Sequence, residues 1–169
     1  QPVRGSFLNE KRPTILGTAE ANAELTLTIN DQVITPTITV NNDETWSYTP
    51  TEDLPEDRIT VRAEITRNGL VGADTVTFTV DTVVPTITIL SPVAMGAVSD
   101  VQTPIRGRTE PGATVSIILP DNTLVDDVIA DEITGLWEYT PTTDWEEGLI
   151  SLQITASDRA QNISDALSD

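Results

Sequence analysis

Apolar and polar residues alternate along much of this chain. Leu25, Leu27 and Ile29 share one face of a predicted strand, with threonines between them. The same period of two recurs in four further segments, at residues 59–65, 76–80, 115–119 and 150–156. No stripe of comparable length has helical spacing. Short strands with one apolar face and one polar face predict an all-β protein built as an antiparallel sandwich.

Clusters of Asn, Asp, Pro and Gly separate the alternating segments and predict turns between them. The first half is predicted to contain seven strands, A to G, at residues 14–18, 23–29, 32–35, 37–41, 45–49, 58–66 and 74–81. The third and fourth strands are divided at Thr35-Pro36. An odd number of strands places the two ends of the chain at opposite ends of a domain.

One pattern occurs twice, about 90 residues apart. Trp46-Ser-Tyr-Thr-Pro-Thr51 returns as Trp137-Glu-Tyr-Thr-Pro-Thr142, and residues 13–23 return as residues 103–113. This period suits one small all-β domain rather than a solenoid turn. We therefore expect two domains in tandem, residues 1–81 and 82–169, with a linker at about 81–85. Aligning the copies predicts that the first lacks an opening strand equivalent to 85–90, and that the second ends within its last strand.

Composition excludes several functions. A formal net charge of −18 in 169 residues repels phosphate backbones and anionic membranes, so we expect no nucleic-acid partner and no membrane insertion. The chain has no Cys, no His and a single Lys, Lys11, and so lacks the usual general base and zinc ligand. We therefore expect no enzyme activity. The abundant carboxylates suit either solubility or a hard cation such as calcium, which oxygen ligands bind.

Several strings resemble bacterial immunoglobulin-like repeats. They are Gly-Thr-Ala-Glu at 17–20, Thr-Glu-Pro-Gly-Ala at 109–113, the two Trp-x-Tyr-Thr-Pro-Thr motifs, residues 76–86, and Ser-Asp-Arg-Ala-Gln-Asn at 157–162. Such repeats form the stalks of giant type I-secreted adhesins and biofilm-associated surface proteins. The resemblance implies two tandem immunoglobulin-like β-sandwich domains arranged end to end. It also implies an extracellular location on a bacterial cell surface, neighbouring repeats of the same polypeptide as partners, and calcium at domain junctions.

The predicted strand order assigns residues to that calcium site. The loop between strands A and B should lie at the exit end of the first domain and carry Glu20, while Asp81 lies where strand G enters the linker. The loop between F and G of the second domain should carry Asp158 towards the same junction. Glu20, Asp81 and Asp158 are therefore the predicted metal ligands, and scattered solvated acids are the alternative. Glu110 repeats Glu20, but on this strand order its site would need a following domain.

Two functions from different classes follow. The first is an extender, or stalk segment, of a cell-surface adhesin that calcium makes rigid at the junction. The alternative is a ligand- or glycan-binding sandwich that uses Trp145 or exposed acids, whereas Trp46 and Trp137 are assigned to the cores. A hydrolase that uses Asp126 and Asp127 ranks third, because these acids suit a charged edge strand better.

Overall fold

A computed structural model describes residues 2–67, 70–93 and 96–168 of the chain. These residues form fifteen β-strands, and none of them lies in a helix, which confirms the predicted all-β class. The described part therefore contains no helix that could cross a membrane. The chain divides into two compact units, residues 1–82 and 83–169, each with its own hydrophobic core.

The first unit has one large sheet and one two-stranded sheet. Its strands are β1 (Phe7–Leu8), β2 (Ile15–Thr18), β3 (Glu24–Ile29), β4 (Gln32–Val33), β5 (Ile38–Thr39), β6 (Thr45–Tyr48), β7 (Arg58–Arg67) and β8 (Leu70–Val80). The large sheet has the order β1-β8-β7-β3-β4, and β5 also pairs with β3. The second sheet pairs β2 with β6.

The predicted division of the third and fourth strands is wrong in one respect. Both β4 and β5 pair antiparallel with β3, through Thr28 opposite Val33 and Leu25 opposite Ile38. They are two pieces of one interrupted strand that lies along β3. Pro36 lies between the pieces, and since proline has no N–H to donate it interrupts the ladder without reversing the chain.

The core of the first unit follows the predicted alternation. Leu25, Leu27 and Ile29 of β3 are buried, whereas the threonines between them are half-buried. Trp46 is 6% exposed and Phe78 is 1% exposed, and both belong to this core. The predicted core role of Trp46 is confirmed.

The second unit has a three-stranded and a four-stranded sheet. Its strands are β9 (Thr88–Ser91), β10 (Ile105–Arg108), β11 (Thr114–Ile118), β12 (Leu124–Ile129), β13 (Leu136–Tyr139), β14 (Gln153–Ser157) and β15 (Leu167–Ser168). The sheet orders are β13-β10-β9 and β12-β11-β14-β15. Trp137 is 3% exposed and lies in the core between them, as predicted.

The two units repeat one pairing register. Gly17 of β2 lies opposite Trp46 of β6, and Gly107 of β10 lies opposite Trp137 of β13. The units differ beside this pair, because β10 also pairs with β9. Among the described residues of the first unit, β2 has β6 as its one strand partner.

Candidate functional site

Glu20 lies in the turn between β2 and β3 and is exposed. Its carbonyl oxygen accepts a hydrogen bond of 3.1 Å from the Ala23 N–H, and Asn22 adopts a positive φ of 62°. Asn tolerates this left-handed backbone better than most residues, which explains its place in a tight turn. Glu20 is thus held on a short, well-defined turn at one end of the first unit.

Asp81 lies at the opposite end of that unit. β3 and β8 both run antiparallel to β7, so β3 and β8 run in the same direction. The start of β3, next to Glu20, is therefore level with the start of β8, whereas Asp81 follows the end of β8. The prediction that the Glu20 turn lies at the exit end is wrong. Because β4 and β5 count as one strand, one strand fewer separates the Glu20 turn from the linker than was predicted. The Glu20 turn therefore lies at the end of the unit away from Asp81.

Asp158 is buried, at 7% exposure, directly after β14. One carboxylate oxygen accepts a hydrogen bond from the Asn162 backbone N–H at 2.9 Å, and the other accepts one from the Asn162 side-chain amide at 2.8 Å. These bonds close the turn 158–162. A carboxylate has about four acceptor positions, so hydrogen bonds to both oxygens still leave lone pairs for another ligand.

Glu110, the repeat equivalent of Glu20, shares an end of its unit with Asp158. β11 pairs antiparallel with β14 through Thr114 opposite Ser157, which makes the turn 109–113 a neighbour of the turn 158–162. The chain enters the second unit at this same end, where Thr109 donates a hydrogen bond of 2.8 Å from its hydroxyl to the Thr86 carbonyl.

Further charged groups surround that end of the second unit. Arg159 forms an ion pair with Glu132. Asp131 accepts hydrogen bonds from the Thr134 N–H and hydroxyl and from the Ile133 N–H, which hold the pKa of its carboxyl below the usual value. Within the described ranges, no group of three or more Asp, Glu, His or Cys side chains is arranged to hold a metal ion.

A second acid at the exit end of the first unit is one that sequence reasoning missed. Glu56 accepts hydrogen bonds from the hydroxyl and the N–H of Thr82, the last residue of that unit, and pairs with Lys11 at 3.0 Å. These contacts lower the pKa of Glu56 from 4.5 to about 2, the two Thr82 bonds contributing most. The partners lie 26 and 45 positions away, and no local motif marks the contact.

The residues named for the glycan-binding and hydrolase alternatives lie in positions that do not favour those functions. The Trp145 ring is half-buried, and its Nε1 donates a hydrogen bond of 3.1 Å to the Thr103 carbonyl. Asp126 and Asp127 are exposed on β12, an edge strand of its sheet. This position agrees with a charged edge that discourages strand-to-strand association.

Comparison with known proteins gives a family match for the first unit. Residues 5–82, which cover the first unit, match the family model described as bacterial Ig-like domain. The comparison with curated proteins gives no match.

Solved structures with similarity to the chain include segments of an adhesion protein and of a biofilm-associated protein. One is a tetra-tandem repeat in the extending region of a large adhesion protein, 19% identical, with a TM-score of 0.38 over 96% of this chain and 47% of that one. Another is the BSP domain of a biofilm-associated protein, 19% identical, with a TM-score of 0.34 over 97% and 28%. A third is β-glucuronidase 3 of Bacteroides uniformis, 13% identical, with a TM-score of 0.31 over 99% and 23%. The chain thus spans about half or less of the length of each of these structures. The family match covers the first unit, which is less than half of the chain.

Proposed function

We propose that this chain is an extender segment of a bacterial cell-surface adhesin, located outside the cell. The observation that carries the proposal is the tandem repeat, in which both units keep the register Gly17–Trp46 and Gly107–Trp137. Repeats of one sandwich in tandem supply length, and each unit needs only its own core for stability. Its partners are neighbouring repeats of the same polypeptide, and adhesion itself belongs to other parts of that polypeptide.

The acidic surface suits this role. At a net charge of −18 the segments repel one another and stay soluble at the cell surface. Trp145, the aromatic residue that the glycan-binding alternative would use, is half-buried and hydrogen-bonded, which does not favour sugar stacking on it. An extender requires that the isolated chain show no saturable binding on a glycan array in calcium. Saturable binding to one glycan class there would contradict the proposal and favour the alternative.

We further propose that calcium binds at the end of the second unit where the chain enters it. The donor chemistry fits a hard cation, because the ionisable ligands available are carboxylates, with no His and no Cys. Asp158 is buried there, and Glu110 shares that end. Asp81, two residues before the second unit begins, remains a predicted ligand. Calcium takes six to eight oxygens, so main-chain carbonyls and water would supply the rest.

The internal repeat provides a matched control for this calcium proposal. Glu110→Gln removes a carboxylate at the end that carries Asp158, whereas Glu20→Gln makes the same change in the equivalent turn at the far end of the first unit. Titration calorimetry of the 169-residue chain should give saturable binding with a Kd on the order of 10⁻⁴–10⁻³ M, as in extracellular modules. We expect Glu110→Gln and Asp158→Asn to weaken it at least tenfold and Glu20→Gln to leave it unchanged.

X-ray scattering of the same samples in calcium and in EDTA tests the mechanical role. Calcium that rigidifies the segment should narrow the distribution of particle dimensions, and Glu110→Gln should abolish that narrowing. Absence of calcium binding up to several millimolar would refute the calcium proposal and leave an acidic spacer. Binding that Glu20→Gln weakens and Glu110→Gln does not would refute the choice of ligands.

A further inference from the structure

An ion pair crosses the turn that carries Glu110. In the sheet order β12-β11-β14, the turn 109–113 leads into β11 and lies between the turns that follow β12 and β14. Glu132 lies in the turn after β12, Arg159 lies in the turn after β14, and their side chains form an ion pair. Since adjacent strands lie about 4.8 Å apart, the ends of β12 and β14 are about 10 Å apart, and the pair spans the turn between them.

Gly112 makes room for this ion pair. A Cβ added at Gly112 would lie 2.9 Å from Arg159 Nη2 and 3.1 Å from Glu132 Oε2, closer than such atoms normally pack. The φ of Gly112 is 75°, a left-handed backbone that glycine adopts without strain. The guanidinium and the carboxylate therefore lie against the backbone of the turn, and a side chain at position 112 would displace them.

The equivalent turn of the first unit forms with different residues. Asn22 and Asn42 lie about 90 positions before Gly112 and Glu132. Asn22 is exposed and has a φ of 62°, so this turn keeps its left-handed residue while bearing a side chain there. Asn42 carries no charge that could pair with a cation. The turn thus forms with a side chain in the space that the ion pair occupies, which indicates that the pair serves something other than turn formation.

We propose that the Arg159–Glu132 pair is a clamp that positions the calcium ligands proposed above, so this inference rests on that calcium site. Arg159 follows Asp158 directly in the chain, and the turn that the clamp crosses carries Glu110. Tying the outer turns across the middle one limits the motion of both ligand-bearing turns before the ion binds. A site arranged in advance loses less conformational entropy on binding. Arg159 and Glu132 are thus positioning residues, and neither binds calcium.

Two variants remove the clamp without changing the net charge. Gly112→Asn introduces the residue that the first unit has in this turn; asparagine tolerates the left-handed backbone, and its side chain displaces the ion pair. The double variant Arg159→Gln/Glu132→Gln removes both charged partners and leaves the net charge at −18. The matched control is Asn22→Gly, the reverse exchange in the equivalent turn of the first unit.

The test titrates calcium into the isotope-labelled 169-residue chain and follows the titration by NMR. Both side chains of the clamp are half or more exposed, so we expect the Kd for calcium to rise about two- to fivefold in both clamp variants and to stay unchanged in Asn22→Gly. In EDTA, amide hydrogen exchange at Asn162 should be faster in both clamp variants, because the Asp158 carboxylate accepts a hydrogen bond from the Asn162 N–H. An unchanged Trp137 indole signal shows that the second unit stays folded.

Three outcomes would overturn the inference, and they differ in what else they refute. Calcium binding that both clamp variants leave unchanged would refute the role of the ion pair alone. Tighter binding in the double variant would mean that Arg159 competes with calcium instead of positioning its ligands. Absence of calcium binding by the unsubstituted chain would refute the calcium proposal and this role of the pair together, and the exchange rates in EDTA would then show whether the pair holds the Asp158 turn.

Discussion

A Gly107→Ala substitution should strongly destabilise the second unit. A Cβ added there would lie 2.3 Å from the Thr88 carbonyl oxygen and 2.3 Å from Trp137 Cζ2. The Trp137 ring is 3% exposed, so it has little room to move, and the second obstacle is backbone. Overpacking a core costs typically 1–3 kcal/mol, and two rigid obstacles place Gly107→Ala at about 3 kcal/mol.

The equivalent change in the first unit should cost less. A Cβ on Gly17 would lie 2.8 Å from Trp46 Cζ2, with only Trp46 ring atoms as its three nearest neighbours. Because these contacts are longer than those at Gly107 and include no backbone atom, Gly17→Ala should cost about 1 kcal/mol. A domain of this size loses about 4–8 °C of Tm per kcal/mol, so Gly107→Ala should lower the Tm of the second unit by roughly 12 °C or more.

Thermal unfolding followed by the indole NMR signals of Trp46 and Trp137 measures the Tm of each unit separately. Gly72→Ala is the control, because a Cβ there would meet Ile65 Cγ1 at an ordinary 3.5 Å. That variant should change stability by about 0.5 kcal/mol or less. If Gly107→Ala is no more destabilising than Gly72→Ala, close packing of glycine against tryptophan is not what the repeat preserves.

Three further predictions concern the core and two acids. Ile117→Ala, at a residue 0% exposed, should cost the second unit about 2–5 kcal/mol in chemical unfolding, whereas Leu124→Ala, 57% exposed, should be near neutral. Because the pKa of Glu56 falls from 4.5 to about 2 on folding, ionised Glu56 stabilises the folded chain fully above pH 4.5, and this contribution is lost as the pH falls towards 2. Over that range the unfolding midpoint should therefore change less in Glu56→Gln than in the unsubstituted chain. Asp131→Ala should speed amide hydrogen exchange at Thr134, because the Asp131 carboxylate accepts a hydrogen bond of 2.7 Å from the Thr134 N–H. Unchanged exchange would contradict this role of Asp131 in holding the turn.

Strands with strong alternation were predictable from sequence almost to the residue. β3 was expected at 23–29 and runs Glu24–Ile29, and β7 was expected at 58–66 and runs Arg58–Arg67. Alternating apolar and β-branched residues dictate these elements locally. β1 was missed because two residues show no period, and its parallel pairing with β8 depends on a partner about 70 positions away.

The acids of the candidate site were predictable as residues but not as neighbours. Asp158 was correctly placed in a loop, yet its burial depends on the turn that Asn162 closes. The contact of Glu56 with Thr82 joins residues 26 positions apart and is set by the end of β8 rather than by any motif. Such contacts are decided by tertiary packing, and alternation along a single strand carries no information about them.

Strand direction explains why Glu20 and Glu110 should behave differently despite equivalent turns. When β4 and β5 are counted as one strand, β3 and β8 run the same way, and Glu20 lies at the end of its unit away from the linker. The same rule applied to the second unit places Glu110 at the end where the chain enters, beside the turn of Asp158. The two glutamates occupy equivalent turns and differ in what surrounds those turns. A loss of calcium binding in Glu110→Gln without one in Glu20→Gln would therefore report on position in the fold, because both variants lose one charge from a turn closed by the same 3.1 Å hydrogen bond from an alanine N–H to the glutamate carbonyl.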